Sequence, residues 1–526
     1  MLSAALLLTG CATPLPQVTD KTTSHAWGQP EQTWLASRLA VIAMPPVPAG
    51  ASALRLLASG HEAFIARTML AENARHTLDL QYHLVEDDDT AQLLLWRALN
   101  AAERGVRVRV LVDDIGTALP QAELAALEHH PLIEVRLFNP FRARGTLWRF
   151  LEWMGNSKRL NRRMHNKLWI ADNAAGVIGG RNLADEYFDK TPEEGFADLD
   201  LFVAGPVVRE ASRSFDGLWN SDWAVPLPAV LAAPRGAEQI EAVIAALRAR
   251  AETFRDSGYA RTARDSEFRQ QWREGRLDLI AADARVVADE PPPTDSDDDA
   301  PAAAQQQHQQ QAATPRPVFA AMREVVAGAQ RELLLVTPYL VPSESAMELL
   351  CSLAARGVVV RTLTNSLAST DVLAVHPGYA RYRPRLLACG VQLFEMHPGS
   401  DEPPARRRRL SSGASLHAKA LVVDREQVFM GSMNFDPRSR QTNTEIALHA
   451  TSALLGGRLG ALFDEAVAPD QAWRVHLRRP GDAAAPLRWE GVERGVAVVH
   501  TTEPEASRLR RLTSVLLGAL LDEELL

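Results

Sequence analysis

The sequence predicts an α/β fold made of two similar lobes, and three observations support it. First, residues 165–182 return as residues 417–434, a constant offset of 252 residues. Second, each copy is preceded by hydrophobic patterns in the order strand, helix, strand. Third, residues 104–106 (Arg-Gly-Val) recur at 356–358 at the same offset. We therefore expect duplicated lobes, each with a mixed, largely parallel sheet flanked by helices, because strand–helix–strand crossovers make strands parallel.

Hydrophobic periodicity places the elements of each lobe. Apolar residues that alternate predict a strand, and those spaced three and four apart predict a helix. Gly105 is expected to end the first of these helices, since a glycine just past the last turn is a common stop. In chain order the predicted elements are strand 77–84, helix 91–105 and strand 106–114, then strand 331–342, helix 346–357 and strand 358–366.

Each copy of the repeat carries a histidine, a lysine, an aspartate and an asparagine at matched positions. On a strand, the histidine and lysine of His-x-Lys point to one face. Two small residues, the second standing two positions before each asparagine, permit close backbone approach. A histidine, a fixed cation and a neutral donor suit a phosphate, whereas one copy alone would be typical of a solvated strand edge. The residues are His165, Lys167, Asp172 and Asn182, repeated as His417, Lys419, Asp424 and Asn434.

Two acidic residues downstream are candidates for orienting the histidines. Asp198 follows Asn182 by sixteen residues, and Glu445 follows Asn434 by eleven. A carboxylate that accepts a hydrogen bond from one ring nitrogen holds an imidazole in one tautomer. We expect Asp198 and Glu445 each to hold the histidine of its own copy in this way, Asp198 with His165 and Glu445 with His417.

These residues resemble the phospholipase D superfamily, whose HxKxxxxD signature with a trailing G-[GS]-x-N occurs here twice. Further segments, including LNRRMHNK, DEYF, LTNSLASTDV, VHPGYARYR and NFDPRS, are similar to bacterial cardiolipin synthases of the C type. The resemblance covers nearly the whole chain. It implies that the lobes meet on a pseudo-two-fold axis, with the active site between them and both histidines facing one phosphate.

The resemblance also implies a two-step transfer through a phosphohistidine. One histidine must attack while neutral and the other must donate a proton, and imidazole supplies both states near neutral pH. We expect His165 to be the nucleophile and His417 the acid and base. The groups expected to stabilise charge on the phosphoryl oxygens are Lys167, Lys419, Asn182 and Asn434.

Asp172 and Asp424 belong to the same catalytic signature. We expect them to fix strand and loop geometry rather than to touch the substrate. The chemistry requires no metal ion and no cofactor, and the sequence shows no separate cluster of metal ligands.

The implied function is a phosphatidyltransferase that forms cardiolipin. It would move a phosphatidyl group from phosphatidylglycerol or phosphatidylethanolamine to phosphatidylglycerol. A phospholipase D that hydrolyses phospholipid to phosphatidic acid is the alternative, since the two differ only in the acceptor. A nuclease is disfavoured by the net charge of −8, and a non-catalytic lipid tether by two complete motifs.

The composition of the chain limits which classes of partner are expected. With 526 residues, 46% of them hydrophobic, the chain can bury two or more domains. Two basic runs, at 158–163 and 406–409, stand ahead of the two histidines. They are either solvated loops or sites that attract anionic headgroups. The expected partners are phospholipid substrates and a membrane surface, without nucleic acid; the sequence names no accessory protein.

Residues 1–11 resemble the lipobox of bacterial lipoproteins, because an apolar run ends in Leu-Thr-Gly-Cys. The run is short and lacks a preceding Lys or Arg, which departs from the usual pattern. Acylation of Cys11 would anchor the protein in the bacterial cell envelope. The predicted location is therefore membrane-associated, with the membrane and leaflet left open.

Composition and pattern also divide the chain into segments. Cys351 and Cys389 are expected to be reduced and buried, with a bridge between them left open. The C-terminal helix is expected either to lie in a bilayer interface or to pack on the core. The predicted segments are a lipoprotein signal (1–11), a tether with a helix near 34–41 (12–51), the first lobe (52–225), a helical inter-lobe region (226–285), a disordered low-complexity insert (286–316), the second lobe (317–475) and a tail (476–526).

Overall fold

The computed structural model describes residues 15–16, 18, 21–191, 195–231, 236–293, 316–398 and 415–520. The predictions for Cys11, for the basic run at 406–409 and for most of the insert lie outside the described residues. The strands are β1 (Ala43–Met44), β2 (Ser52–Leu57), β3 (Thr77–Tyr82), β4 (Arg107–Asp113), β5 (Ile133–Phe138), β6 (Leu168–Ala171), β7 (Ala175–Gly179), β8 (Phe196–Ala197), β9 (Asp200–Ala204), β10 (Ala224–Pro226), β11 (Leu277–Asp278), β12 (Ile280–Ala288), β13 (Glu332–Val336), β14 (Val359–Asn365), β15 (Gln392–Met396), β16 (Ser415–Leu416), β17 (Ala420–Val423), β18 (Gln427–Gly431), β19 (Ile446–Thr451), β20 (Ala472–Leu477), β21 (Leu487–Glu493) and β22 (Val496–His500).

The helices surround these strands and cover both faces of the sheets. They are α1 (Trp34–Ile42), α2 (Gly60–Asn73), α3 (Asp89–Glu103), α4 (Gln121–Glu128), α5 (Thr146–Gly155), α6 (Ser157–Leu160), α7 (Pro206–Asn220), α8 (Ala237–Arg255), α9 (Gly258–Arg264), α10 (Glu267–Glu274), α11 (Pro317–Ala327), α12 (Glu344–Ala355), α13 (His376–Ala388), α14 (Pro437–Gln441), α15 (Ala453–Ala466) and α16 (Arg508–Leu520). Over the ranges that the structure describes, no helix combines the length and apolarity needed to cross a membrane.

The first-lobe sheet has the strand order β10-β5-β4-β3-β6-β7-β9-β2. It is mixed, as predicted, but its parallel part is limited to β3, β4 and β5. The rest is antiparallel because β6 and β7 form a tight hairpin. Its two turn residues, Asp172 and Asn173, have φ values of 54° and 52°. A turn with positive φ at both positions matches the twist of antiparallel strands.

The second-lobe sheet has the order β22-β21-β20-β15-β14-β13-β17-β18-β19, in which β20 to β19 repeat the order from β10 to β9. Its hairpin turn, Asp424 and Arg425, again has positive φ at both residues. The prediction of two similar α/β lobes is confirmed. A core cluster shared by both lobes lies between the sheets and contains Leu168, Ile178, Val422 and Leu448.

Strand β12 joins the two sheets. Residues 280–282 pair with β2 of the first lobe, and residues 283–288 pair with β19 of the second. The inter-lobe region is therefore helical in α8, α9 and α10 but ends in a strand, which corrects the prediction for 226–285. The insert was also predicted to begin too early, since 286–288 extend this strand and Asp289 is buried.

Two further segments belong to the lobes rather than to flexible ends. The described part of the predicted tether packs on the first lobe, where α1 forms as expected and buries Leu35 and Leu39. The predicted tail contributes β21 and β22 to the second sheet, so this lobe extends to His500. Both corrections arise because local composition does not reveal which apolar side chains find a tertiary partner.

The two described cysteines form a disulfide, which corrects the prediction of reduced thiols. Cys351 in α12 and Cys389 at the end of α13 are bonded, with Cα atoms 5.4 Å apart. Their 38-residue separation carries no signal of this pairing. It results from the packing of α12 beside α13.

Candidate active site

Each predicted histidine is held by backbone of the opposite lobe. The His165 N–H donates to the Thr444 carbonyl at 2.9 Å, and the His417 N–H donates to the Ala197 carbonyl at 2.9 Å. Just before His417, β16 pairs with β8 of the first lobe. Just before His165, Met164 forms a parallel bridge with Thr444. The lobes thus align each other's histidine, which brings both to the interface.

The orienting carboxylates also cross the lobe boundary. His165 Nδ1 lies 2.9 Å from Glu445 Oε2, and His417 Nδ1 lies 2.6 Å from Asp198 Oδ2. Both carboxylates are fully buried. When each Nδ1–H donates to its carboxylate, Nε2 is the ring nitrogen left to act on a substrate. The prediction that each acid holds the histidine of its own copy is therefore wrong, because the lobes exchange partners.

The strand register shows that the two acids are equivalent. Gly179 pairs with Asp200 and Gly431 pairs with Ala447, so each acid stands two residues before the partner of a glycine. Their sequence offset is 247 rather than 252, because the connection leading to Asp198 is longer. This difference in loop length hides the equivalence in the sequence.

The second small residue of each pair fits its own acid. A Cβ added to Gly180 would lie 2.2 Å from Asp198 Oδ1, so only glycine leaves room for that carboxylate. In the second lobe, the Ser432 hydroxyl instead donates to Glu445 Oε2 at 2.5 Å. The change from glycine to serine therefore accompanies a different way of holding the carboxylate.

The two lysines lie within the buried site. Lys167 Nζ donates to the His165 carbonyl at 2.6 Å, and Lys419 Nζ donates to the His417 carbonyl. Burial lowers the pKa of Lys167 to about 7, with Lys419 adding to the effect. Burial also lowers the pKa of Lys419 to about 8. An anionic ligand near both ammonium groups would favour the protonated, charged form of each lysine.

The two asparagines keep unused hydrogen-bonding capacity. Asn182 Nδ2 donates to the Tyr187 hydroxyl at 2.9 Å. The amide oxygens of Asn182 and Asn434 are buried and accept no hydrogen bond within the described part of the chain. Buried polar atoms of native proteins are nearly always paired, so these free oxygens are consistent with a ligand that donates hydrogen bonds, such as a hydroxyl; a phosphoryl oxygen would need the Nδ2 donors instead.

The structure does not bring Asp172 and Asp424 into this cluster. The Asp172 carboxylate accepts hydrogen bonds from the backbone N–H groups of residues 75–77, and Asp424 accepts from those of residues 330–332. Each aspartate lies at the hairpin turn, at the far end of the strand that follows its histidine and lysine. Both aspartates therefore tie that turn to the neighbouring strand.

The electrostatic surroundings of the histidines are unequal. Burial, together with Lys167 and Lys419, holds the pKa of His165 well below its usual value. Burial and Lys419 also lower the pKa of His417, whereas Asp198 raises it. Burial opposes ionisation of Asp198, yet His417 and Lys419 hold its pKa at about 2. Burial instead raises the pKa of Glu445. The neutral form is favoured more strongly at His165.

Sequence reasoning missed a matched pair of supporting residues. Asp113 Oδ2 accepts from the Met164 N–H at 2.9 Å, and Asn365 Oδ1 accepts from the Leu416 N–H at 2.8 Å. Each holds the residue immediately before a histidine. Asp113 and Asn365 are 252 residues apart, so the repeat itself could have found them at the ends of β4 and β14.

Three ring contacts without sequence signal make the two halves of the site different. The rings of Tyr187 and Phe196 lie 5.0 and 5.2 Å from that of His417. On the other side, the His83 ring lies 5.1 Å from that of His165. Two aromatic rings thus line one histidine, and a third imidazole lies beside the other.

The predicted basic run ahead of His165 is only partly exposed. Lys158 is solvent-exposed. Arg159 pairs with Glu152, and Arg163 pairs with Asp113. Most of this run therefore supports the local fold rather than presenting free charge at the surface.

Comparisons with known proteins agree with the two-lobe site. Residues 69–219 and 322–466 both match the family model described as "Cardiolipin synthase, PLD-like domain". The chain is 37% identical to cardiolipin synthase C of Escherichia coli K12, over 86% of this chain and 91% of that protein. It is 27% identical to cardiolipin synthase A of Pseudomonas aeruginosa LESB58, over 78% of this chain and 66% of that protein.

A solved structure shares the fold over most of its length. The phosphatidylserine synthase of Haemophilus influenzae Rd KW20 superposes with a TM-score of 0.54 at 12% identity, covering 90% of this chain and 95% of that one. The two matched PLD-like domains carry the two His-x-Lys pairs and the asparagines at the lobe interface. The chain therefore belongs to the cardiolipin synthase family of phospholipase D-like enzymes.

Proposed function

We propose that this protein is a phosphatidyltransferase that makes cardiolipin at a membrane through a phosphohistidine intermediate. The observation that supports the proposal is the buried pair of histidines. Each histidine ring lies within hydrogen-bond distance of a carboxylate of the other lobe, and a lysine donates to the backbone carbonyl of each histidine. Identity of 37% to a cardiolipin synthase over most of both chains supports the substrate class.

In the first step, His165 Nε2 attacks the phosphorus of the donor phospholipid. The bond from phosphorus to the headgroup oxygen breaks, and His417 gives that oxygen its proton. The lower pKa of His165 favours its neutral, attacking form. The ionised Asp198 stabilises the imidazolium form of His417, which the acid must adopt.

In the second step, His417 accepts the proton of a phosphatidylglycerol hydroxyl, whose oxygen attacks phosphorus. The bond from phosphorus to His165 breaks and the neutral imidazole is restored. The lysines and asparagines at the site would stabilise the negative charge that builds on phosphoryl oxygens in both steps. Because only the acceptor differs, water in this position would give phosphatidic acid instead.

We also propose phosphatidylglycerol and phosphatidylethanolamine as donors, and an envelope location with Cys11 as the acylated anchor. The anchor rests on the lipobox-like sequence before Cys11. A membrane surface is expected because both donor and acceptor are bilayer lipids.

The test incubates the purified full chain with vesicles of phosphatidylglycerol, alone and mixed with phosphatidylethanolamine, and identifies the lipid products by mass spectrometry. We expect cardiolipin, and an increase with phosphatidylethanolamine would identify it as donor. The matched controls, His165→Ala and His417→Ala, should form no cardiolipin while keeping the wild-type circular dichroism spectrum. Phosphatidic acid without cardiolipin would refute the transfer and identify a hydrolase.

A further inference from the structure

Two helices of this protein expose apolar side chains to solvent on one face. Helix α5 buries none of its residues. Helix α16 buries only Ser514 and exposes a stripe of leucine and valine. The exposed fractions are 66% for Leu147, 65% for Trp148, 54% for Phe150, 42% for Leu151, 38% for Trp153 and 55% for Met154 in α5, and 73% for Leu509, 57% for Leu512, 70% for Val515, 54% for Leu516 and 80% for Leu520 in α16.

Both helices attach through their polar or small residues, which is the reverse of an ordinary surface helix. In α16, Arg510 Nε donates to the Leu367 carbonyl at 2.6 Å, and a Cβ on Gly518 would lie 2.8 Å from Pro377 Cβ. In α5, the Arg149 guanidinium donates to the Asp114 carbonyl at 3.2 Å. Surface helices normally turn the apolar stripe inward. Exposed apolar stripes of this kind mark interaction surfaces.

The two helices are anchored to equivalent loops beside the two histidines. The loop after β4 holds α5 through Asp114, and its neighbour Asp113 binds the residue before His165. The loop after β14 holds α16 through Leu367, and Asn365 at the end of β14 binds the residue before His417. Because the repeat relates these loops, both helices are attached at the end of the molecule where the histidines lie.

The composition of this end fits a bilayer rather than a protein partner. Tryptophan and phenylalanine in α5 are side chains that settle at the boundary between headgroups and acyl chains. Exposed cations border both faces, namely Arg142 and Lys158 beside α5 and Arg508 at the start of α16. Anionic phospholipid headgroups complement such a rim.

The position of the N-terminal segment points the same way. The Leu15 carbonyl lies 3.5 Å from the guanidinium of Arg142, four residues before α5. Leu15 stands four positions after Cys11. An extended chain of that length reaches roughly 14 Å. An acyl group on Cys11 would therefore enter the bilayer close to α5.

We propose that the exposed faces of α5 and α16 form one docking surface for an anionic phospholipid bilayer, which presents lipid headgroups to the site between them. The proposal rests on the proposed function for the reason to approach a membrane. Insertion of both faces to the depth of the headgroup boundary would place His165 and His417 over the phosphates of the same leaflet.

The test measures co-sedimentation of the full chain with vesicles of phosphatidylglycerol and of phosphatidylcholine. All proteins carry Cys11→Ser, so that an acylated cysteine cannot mask the surface. The variants are Trp148→Glu with Phe150→Glu in α5, and Leu512→Asp with Leu516→Asp in α16. The control is Leu454→Asp, whose leucine is 53% exposed. It stands in the first turn of α15, two residues before Gly456, which packs on Arg425 of the hairpin turn at the opposite end of the second sheet.

We expect each double variant to bind phosphatidylglycerol vesicles at least tenfold more weakly, and the control to bind like its parent. Turnover of a short-chain, monomeric phosphatidylglycerol should remain within twofold of the parent, because that substrate needs no surface. Unchanged vesicle binding by both variants would overturn the proposal. So would loss of self-association instead of loss of vesicle binding, measured by sedimentation without lipid. Vesicle binding can be measured even if the parent protein forms no cardiolipin. Failure of the proposed function can therefore be distinguished from failure of the proposed docking surface.

Discussion

Replacing Asp198 with asparagine isolates the charge that supports the proposed acid. Burial opposes ionisation of this carboxyl, but His417 and Lys419 hold its pKa at about 2, against 3.8 for an ordinary Asp. That difference corresponds to roughly 2 kcal/mol of favourable interaction with the ionised carboxylate. Asparagine keeps the shape and an acceptor oxygen but removes the charge. The His417 imidazolium should lose only part of this stabilisation, because Lys419 also contributes to it.

The expected consequence for Asp198→Asn is a roughly tenfold lower rate of headgroup release, which corresponds to about one pKa unit. The sign of the charge that is removed also predicts how the activity depends on pH. His417 must be protonated to act as an acid, so activity is lost as pH rises through its pKa. Removing the neighbouring negative charge lowers that pKa, and the alkaline limb of the rate profile should move to lower pH by about one unit.

The assay compares two phosphatidyl esters that differ in leaving group. Glycerol must receive a proton as it leaves, whereas 4-nitrophenolate leaves without one. Asp198→Asn should therefore slow release of glycerol strongly and the first burst of nitrophenolate only slightly. The matched control is Glu445→Gln, which affects the proposed nucleophile His165 and should slow both esters alike. Equal loss with both esters in Asp198→Asn, or an unmoved alkaline limb, would refute the assignment of His417 as the acid.

Two further pairs of substitutions test the frame of the site. Asp172→Ala should cost about 3 kcal/mol of unfolding free energy by denaturant titration, because three backbone N–H groups, among them the buried one of Thr77, lose their acceptor. Asp424→Ala, at a more exposed turn, should cost about 1 kcal/mol. Gly180→Ala should reduce turnover at least as much as Asp198→Asn, because its Cβ would lie 2.2 Å from Asp198 Oδ1. Ser432→Ala loses one hydrogen bond to a carboxylate and should lower turnover tenfold or less. A larger loss of turnover in Ser432→Ala than in Gly180→Ala would contradict the steric argument.

The features that the sequence predicts well are those repeated along the chain. Alternation and helical spacing are local, so the strand, helix, strand order of both lobes follows from them, and Gly105 ends α3 with a φ of 95° as expected. The His-x-Lys pairs are also local, because they lie next to β6 and β17. Duplication then implies a paired site, since two copies of one lobe can meet with equivalent residues face to face.

The features that sequence reasoning missed depend on contacts between segments far apart in the chain. No feature of the sequence near Glu445 indicates that its carboxylate contacts His165, 280 residues away, rather than the histidine of its own lobe. The same holds for β12, which has no feature to show that it borders both sheets. The disulfide of Cys351 likewise depends on how two helices pack.

The chemistry proposed for this site needs two histidines in opposite protonation states, although the lobes that supply them are copies. A strictly symmetric site would give both imidazoles the same pKa and would not favour one as acid. The symmetry is broken around the rings themselves. His417 has an ionised Asp198 and the aromatic rings of Tyr187 and Phe196 beside it. His165 instead has a glutamate whose pKa is raised by burial. Backbone pairing thus preserves the two-fold geometry that one phosphate requires, while a few side chains lower the pKa of His165 further than that of His417.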